Sequence, residues 1–209
     1  MAREGRHRFF ALVKMDAPKT PSEPLSRGIG LHGFRAAALA LWGEDGLRTV
    51  AARLPDDARA ETVDAIVLPV SWYAVRHTIA WEEAVWEGPA ARDEATFHSF
   101  LDKGIELGFG RMRRFFIRLQ SPEQIILRAP EMWRYQHTHG TLTAVAKGNG
   151  ATILLRDHPF TRHPIARRAT AEVYRFIASL TQARGKGEVR QTHGSEGPDS
   201  LVVRLTWAT

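Results

Sequence analysis

Residues 93–150 read DEATFHSFLDKGIELGFGRMRRFFIRLQSPEQIILRAPEMWRYQHTHGTLTAVAKGNG. The spacing of apolar residues in this stretch changes from helical to strand-like, and that change decides the fold class. Over 95–108, Phe97, Leu101, Ile105 and Gly108 recur at intervals of four, four and three, which predicts one face of a helix. Asp93 stands where a carboxylate can accept an orphan N–H of the first turn. A second helix is expected over 111–120, with Met112, Phe115, Phe116 and Leu119 as its buried stripe. Arg111, Arg114 and Arg118 fall on its opposite face. The Ser121-Pro122 pair restarts a third helix that ends near Trp133. Two β-prone runs then follow, 141–147 and 151–156, joined by Gly148-Asn149-Gly150, a strong hairpin signal. Helices that feed into a small antiparallel sheet predict an α+β domain.

The flanks extend the same pattern. Residues 9–13 (Phe-Phe-Ala-Leu-Val) suit a short strand or a packing arm. Residues 16–27 carry Pro18, Pro21 and Pro24 and read as a linker, so 1–27 is expected to be a basic, Pro-containing arm and 28–209 one α+β domain. Helices are expected over 33–42 and 44–54, the latter stopped by Pro55, then a turn or helix from Asp56-Asp57 through Val67. Another runs over 72–86 and ends at Gly88-Pro89. Downstream, Pro164 opens a long helix closed by Gly185. Its stripe is Ala166, Ala169, Val173, Ile177 and Leu180, with Arg167, Arg168 and Arg175 expected outside. Leu201, Val203, Leu205 and Trp207 alternate with Val202, Arg204 and Thr206 as a strand, and 188–193 is expected to pair with it. The expected architecture is an N-terminal helical bundle packed on about four antiparallel strands, with one long helix in the C-terminal half.

Composition narrows the chemistry. The 209 residues hold 44% hydrophobic and 25% charged residues and no cysteine, which excludes disulfides, thiolate metal sites and thiol nucleophiles. The N-terminus lacks the apolar core of a secretory signal, and no apolar run approaches the ~20 residues that span a bilayer, so a cytoplasmic location is expected. A balance of 29 basic to 23 acidic residues, net +6, favours acidic partners.

No catalytic constellation stands out. Ser71, Ser99 and Ser200 have no Gly-x-Ser-x-Gly context, and no phosphate loop of the Gly-x-x-x-x-Gly-Lys kind exists. The run from Gly28 to Gly33 has the wrong glycine spacing for a dinucleotide loop. Glu82 and Glu83 are adjacent, so on a helix their carboxylates diverge. His137 and His139 lie one residue apart on an extended segment, and His158 and His163 bracket the entry to the long helix near Asp157. Neither set forms a closed metal-ligand pattern, and no metal is expected.

Four pieces of sequence carry a resemblance: Trp72-Tyr73, the run 104–110 (Gly-Ile-Glu-Leu-Gly-Phe-Gly), the segment 125–133, and the terminal Val-Arg-Leu-Thr-Trp ending at Trp207. Over roughly residues 28–208 the chain resembles a bacterial family of unknown function abundant in myxobacteria. That family is related to haem-dependent nitric-oxide-binding domains, four-vinyl-reductase domains and transport-particle subunits. The haem-binding relatives use a helical axial His and a Tyr-x-Ser-x-Arg motif on the propionates. None of Tyr73, Tyr135 and Tyr174 begins that motif, and His98 is the one reasonable axial candidate, so no cofactor is expected. The other relatives imply a small apolar pocket or a docking face.

The reading that follows is a non-enzymatic sensory or adaptor domain that binds a small apolar ligand or a partner protein. A pocket would draw on Trp72, Tyr73, Phe97, Leu101, Phe116 and Trp133, since aromatic rings commonly line pockets, although they also fill cores. The alternative is a nucleic-acid or anionic-surface binder that uses Arg111, Arg114 and Arg118. The apolar stripe at 112–119, followed by Ile125, Ile126 and Leu127, predicts a homodimer or related-subunit heterodimer joined through a helical face.

Overall fold

The computed structural model describes residues 22–181 and 188–208, with only the backbone described for 111–113. The expected strand at 9–13 and the Gly185 stop lie outside the described residues. Strand β1 (Leu25–Arg27) opens the described chain and pairs antiparallel with β2 (Trp72–Ala74). Three residues expected in the arm thus belong to the folded body.

Helix α1 (Ile29–Ala51) is interrupted at Gly43, whose φ of 65° no helix accepts, and this break separates the two helices expected from sequence. A short α2 (Asp56–Arg59) runs into one π-helical turn, Ala60–Asp64. Helix α3 (Val75–Glu87) begins later than the spacing implied, because Trp72–Ala74 is held extended by β1. Helix α4 (Glu94–Arg118) is capped by Asp93, which accepts the Thr96 N–H at 2.7 Å. It breaks at Gly110 (φ 64°, ψ 170°), so the two helices read from sequence are two arms of one element.

The expected third helix is two. In α5 (Pro122–Leu127) Ser121 and Gln124 form a reciprocal capping box, and α6 (Ala129–Gln136) restarts with Pro130 in its first turn. Helix α7 (Pro164–Ser179) follows the hairpin. The main sheet has the order β3-β4-β6-β5, all antiparallel: β3 (Thr141–Lys147), β4 (Gly150–Arg156), β5 (Arg190–Gly194) and β6 (Ser200–Thr206). Its register pairs Thr143 with Leu154 and Ile153 with Val203.

Two apolar cores result. One lies among the helices, where Leu31, Phe34, Trp81, Phe97, Phe100 and Leu101 are buried. The other lies under the sheet, where Ile153, Leu155, Leu201 and Leu205 meet Ile126, Trp133 and Ile177. The closest helix contact is between α1 and α4. A Cβ on Gly33 would stand 2.3 Å from the Gly104 carbonyl oxygen, so the two backbones touch with no side chain between them.

Candidate functional site

The six residues expected to wall a pocket are distributed over three places. Phe97 and Leu101 are fully buried in the helical core, with Tyr73 packed at its margin. Trp133 belongs to the sheet core. Trp72 lies under the Arg27 guanidinium, 4.2 Å from ring centroid to cation. Phe116 is 41% exposed on the far arm of α4. Phe97 and Leu101 do share surroundings, but these are filled: Trp86 meets Phe97 edge-on at 5.4 Å, and Phe100 lies between Phe34 at 5.1 Å and Trp42 at 5.6 Å. Trp81 occupies the centre, its indole N–H donating to Thr62 Oγ1 at 2.7 Å.

The far arm of α4 overturns another expectation. Phe115, Phe116 and Leu119 were read as a buried stripe, yet they are 57%, 41% and 57% exposed, and Ile117 is the residue that turns inward. The Gly110 break rotates this arm relative to the one before it, and a stripe extrapolated from periodicity alone misses that rotation. The Phe115 and Phe116 rings meet edge-on at 5.8 Å, Leu119 lies a turn further on, and Leu127 of α5 is half exposed. These side chains make an apolar face; among the described aromatics outside it, Tyr135 is the one that is comparably exposed.

The arginine row does not stand free either. Arg114 donates to Glu106 Oε1 at 2.6 Å and is largely covered, Arg118 is exposed, and the Arg111 side chain lies outside the described residues. On α7 the arginines expected outside turn inward. Arg167 ties the carbonyls of Thr161, Gly194 and Ser200. Arg175 holds fully buried Glu172 and reaches Asp102 at 2.9 Å. Burial, only partly offset by Arg175, pushes the Asp102 carboxyl up to about 7. Nothing in the spacing of Asp102 and Glu172, 70 residues apart, announces this network.

His137 and His139 of one expected pair and His158 of the other meet in one cluster around Trp133, while His163 bonds to Glu83. His137 stacks on Trp133 at 3.8 Å, and His158 meets Trp133 edge-on at 4.8 Å and His137 at 5.1 Å. The Trp133 N–H donates to the His139 carbonyl, and the His158 Nδ1 accepts the Phe160 N–H. Burial depresses His137 to about 3 and His158 to about 2, so both rings are neutral.

No family model matches this chain, and no curated protein matches its sequence. Solved structures do match. The Fe(II) unliganded H-NOX protein from K. algicida aligns with a TM-score of 0.60 over 88% of this chain and 97% of its own, at 8% identity. An oxygen-binding H-NOX domain related to soluble guanylate cyclases aligns at 0.59 over 88% and 95%, with 11% identity. A variant of T. Tengcongensis H-NOX gives 0.58 over 88% and 98%, also at 11%. The fold is H-NOX-like. Identities this low establish shared architecture and nothing of the ligand.

Haem is named for solved structures of this fold, and the described residues show whether this chain could hold it. An axial histidine needs a ring nitrogen directed into an apolar slot wide enough for a porphyrin. Among the described residues, His98 instead faces Glu172 at 3.7 Å and Glu94 at 3.9 Å. His77 lies between Asp57 and Glu61, both at 3.4 Å, and His163 is bonded to Glu83 at 2.8 Å. His137, His139 and His158 crowd Trp133, while His32 and His193 point to solvent. The interior beside α4 is occupied by Phe34, Trp81, Phe97 and Phe100. A cleft of about 420 Å³, lined by Pro24, Ile79, Asp157, His158, Pro159, Arg162 and His163, lies away from the helical core. The described residues do not fit haem.

Proposed function

We propose that this domain is a non-enzymatic docking module that uses an H-NOX-like scaffold without its haem and binds a partner protein on the far arm of α4. One observation carries the reading: Phe115, Phe116 and Leu119 are exposed together on one helical arm, and Leu127 of α5 is half exposed. Large apolar side chains grouped on a surface mark interaction sites, and aromatic anchors supply most of the energy at such sites. The exposed Arg118 and Arg128 border the face, and the net charge is +6, so a matching partner surface has an apolar centre and an acidic rim.

The small-ligand version of the sequence reading has less support, because Phe97 and Leu101 complete a packed interior while Trp72, Phe116 and Trp133 lie elsewhere. The anionic-surface version loses Arg114 to Glu106. The test is capture from extracts of the source cells, with wild-type protein and the Phe115→Ser/Phe116→Ser variant as baits. The expected result is one partner retained by wild type and lost by the variant, with both proteins melting alike. Identical retention by the two baits would remove the assignment.

A further inference from the structure

The two edges of the main sheet differ in how they are protected. Natural sheets blunt an edge with charge, proline, bulges or a covering element, because its unpaired N–H and C=O groups otherwise recruit another strand. At one edge, β5 is five residues long, ends in glycine and carries the exposed Arg190. At the other, β3 is seven residues, Thr-Leu-Thr-Ala-Val-Ala-Lys, bonded to β4 on one side only. It contains no proline, no bulge in its register with β4 and no charge before its last residue. Among the described residues, no backbone group of 141–147 takes part in a hydrogen bond outside its own ladder. Val145 is 67% exposed on the outer face, and Ala144 and Ala146, on the core side, remain partly open. The core is thus unfinished along this edge.

We infer that two copies of this chain pair through β3, antiparallel about Ala144, to make one continuous eight-stranded sheet. The sequence of β3 suits itself as a partner in that register. Thr143 faces Val145 of the second copy, Leu142 faces Ala146, Lys147 faces Thr141, and Ala144 faces its symmetry mate. No like charges oppose one another, and β-branched residues meet across the strands, which is the favourable kind of cross-strand pair. A two-fold axis satisfies both copies with the same contact, so the assembly closes at two. Small alanines on the core side let the second copy cover the open margin without displacing it. In this arrangement the two copies meet at the sheet edge and not at the helical face expected from sequence, and the far arm of α4 is not part of the contact between them.

Mass measurement by light scattering on purified protein at tens of micromolar tests the inference. Wild type is expected at twice 23.4 kDa. In Thr143→Glu/Val145→Glu the register places carboxylates directly opposite one another twice, and the dimer is expected to weaken at least tenfold. In Thr143→Lys/Val145→Glu the same register makes two opposite-charge pairs, and the dimer is expected to persist. Both positions are exposed, and circular dichroism melts confirm that each variant folds. A monomeric wild type, a dimer indifferent to the double glutamate, or dissociation of the Lys/Glu variant to the same extent would overturn the inference.

Discussion

His158→Asn gives a stability test that reports on the Trp133 cluster alone. In the folded chain burial holds His158 at about 2 and His137 at about 3, against 6.5 for a free imidazole. A group whose folded value is depressed contributes stability that is present above 6.5 and lost as pH falls, because the unfolded chain takes the proton first. Between pH 7 and pH 5 each imidazole goes from mostly neutral to mostly charged when unfolded and stays neutral when folded. That difference is about 2 kcal/mol per ring. Glu82 and Asp102 act in the opposite direction over the same interval, since burial raises them to about 8 and about 7. The informative quantity is therefore the difference between proteins. Asn at 158 keeps an acceptor for the Phe160 N–H, removes the titration, and costs packing at every pH alike. Urea unfolding followed by tryptophan fluorescence at pH 7 and 5 should give a change in stability that differs between wild type and variant by about 2 kcal/mol, the wild type losing more. Equal pH dependence in the two proteins would show that His158 is not a buried neutral ring.

Other outcomes follow from single features. Gly33→Ala, whose Cβ would stand 2.3 Å from the Gly104 carbonyl, should cost about 1–3 kcal/mol, read as a melting-temperature loss of several degrees. Gly30→Ala, with open space around it, should not destabilise, and equal losses would refute the α1–α4 contact. Glu82 is buried with one carboxylate oxygen lacking a hydrogen-bond partner, and burial raises it to about 8. Its stability contribution is present below 4.5 and lost as pH rises through 8, so Glu82→Gln should stabilise the protein by about 1–3 kcal/mol at pH 7 and by much less at pH 4.5. Denaturation midpoints at the two pH values check it, and a uniform effect would count against it. Titration with hemin should give no stoichiometric Soret shift, whereas a 1:1 shift abolished in His98→Ala would show that haem binds after all.

Much of the architecture was legible in the residues. The separate helical runs on either side of Gly43 and of Gly110, the Asp93 cap, the Gly148-Asn149-Gly150 hairpin and the alternation ending at Trp207 are local signals, and each stands where its local chemistry places it. What sequence could not supply depended on chain geometry between elements. Spacing within 111–120 set Met112, Phe115, Phe116 and Leu119 on a buried face, and the turn at Gly110 exposes Phe115, Phe116 and Leu119 instead. Spacing placed Arg175 outside α7, yet fully buried Glu172 draws it in. His137 and His158 are 21 positions apart and meet only because the hairpin folds back on Trp133. The candidate pocket residues were individually credible, but three-dimensional packing distributed them over two cores and the surface.

The docking assignment rests most directly on what touches α4 beyond Gly110 inside the cell. Photo-crosslinking amino acids placed in turn at Phe115, Phe116 and Leu119, with exposed Arg48 on α1 as the control position, report that contact. Adducts to one and the same other protein are expected from the three α4 positions and none from Arg48. No adduct at 115, 116 or 119, or the same products from all four positions, would contradict the docking assignment.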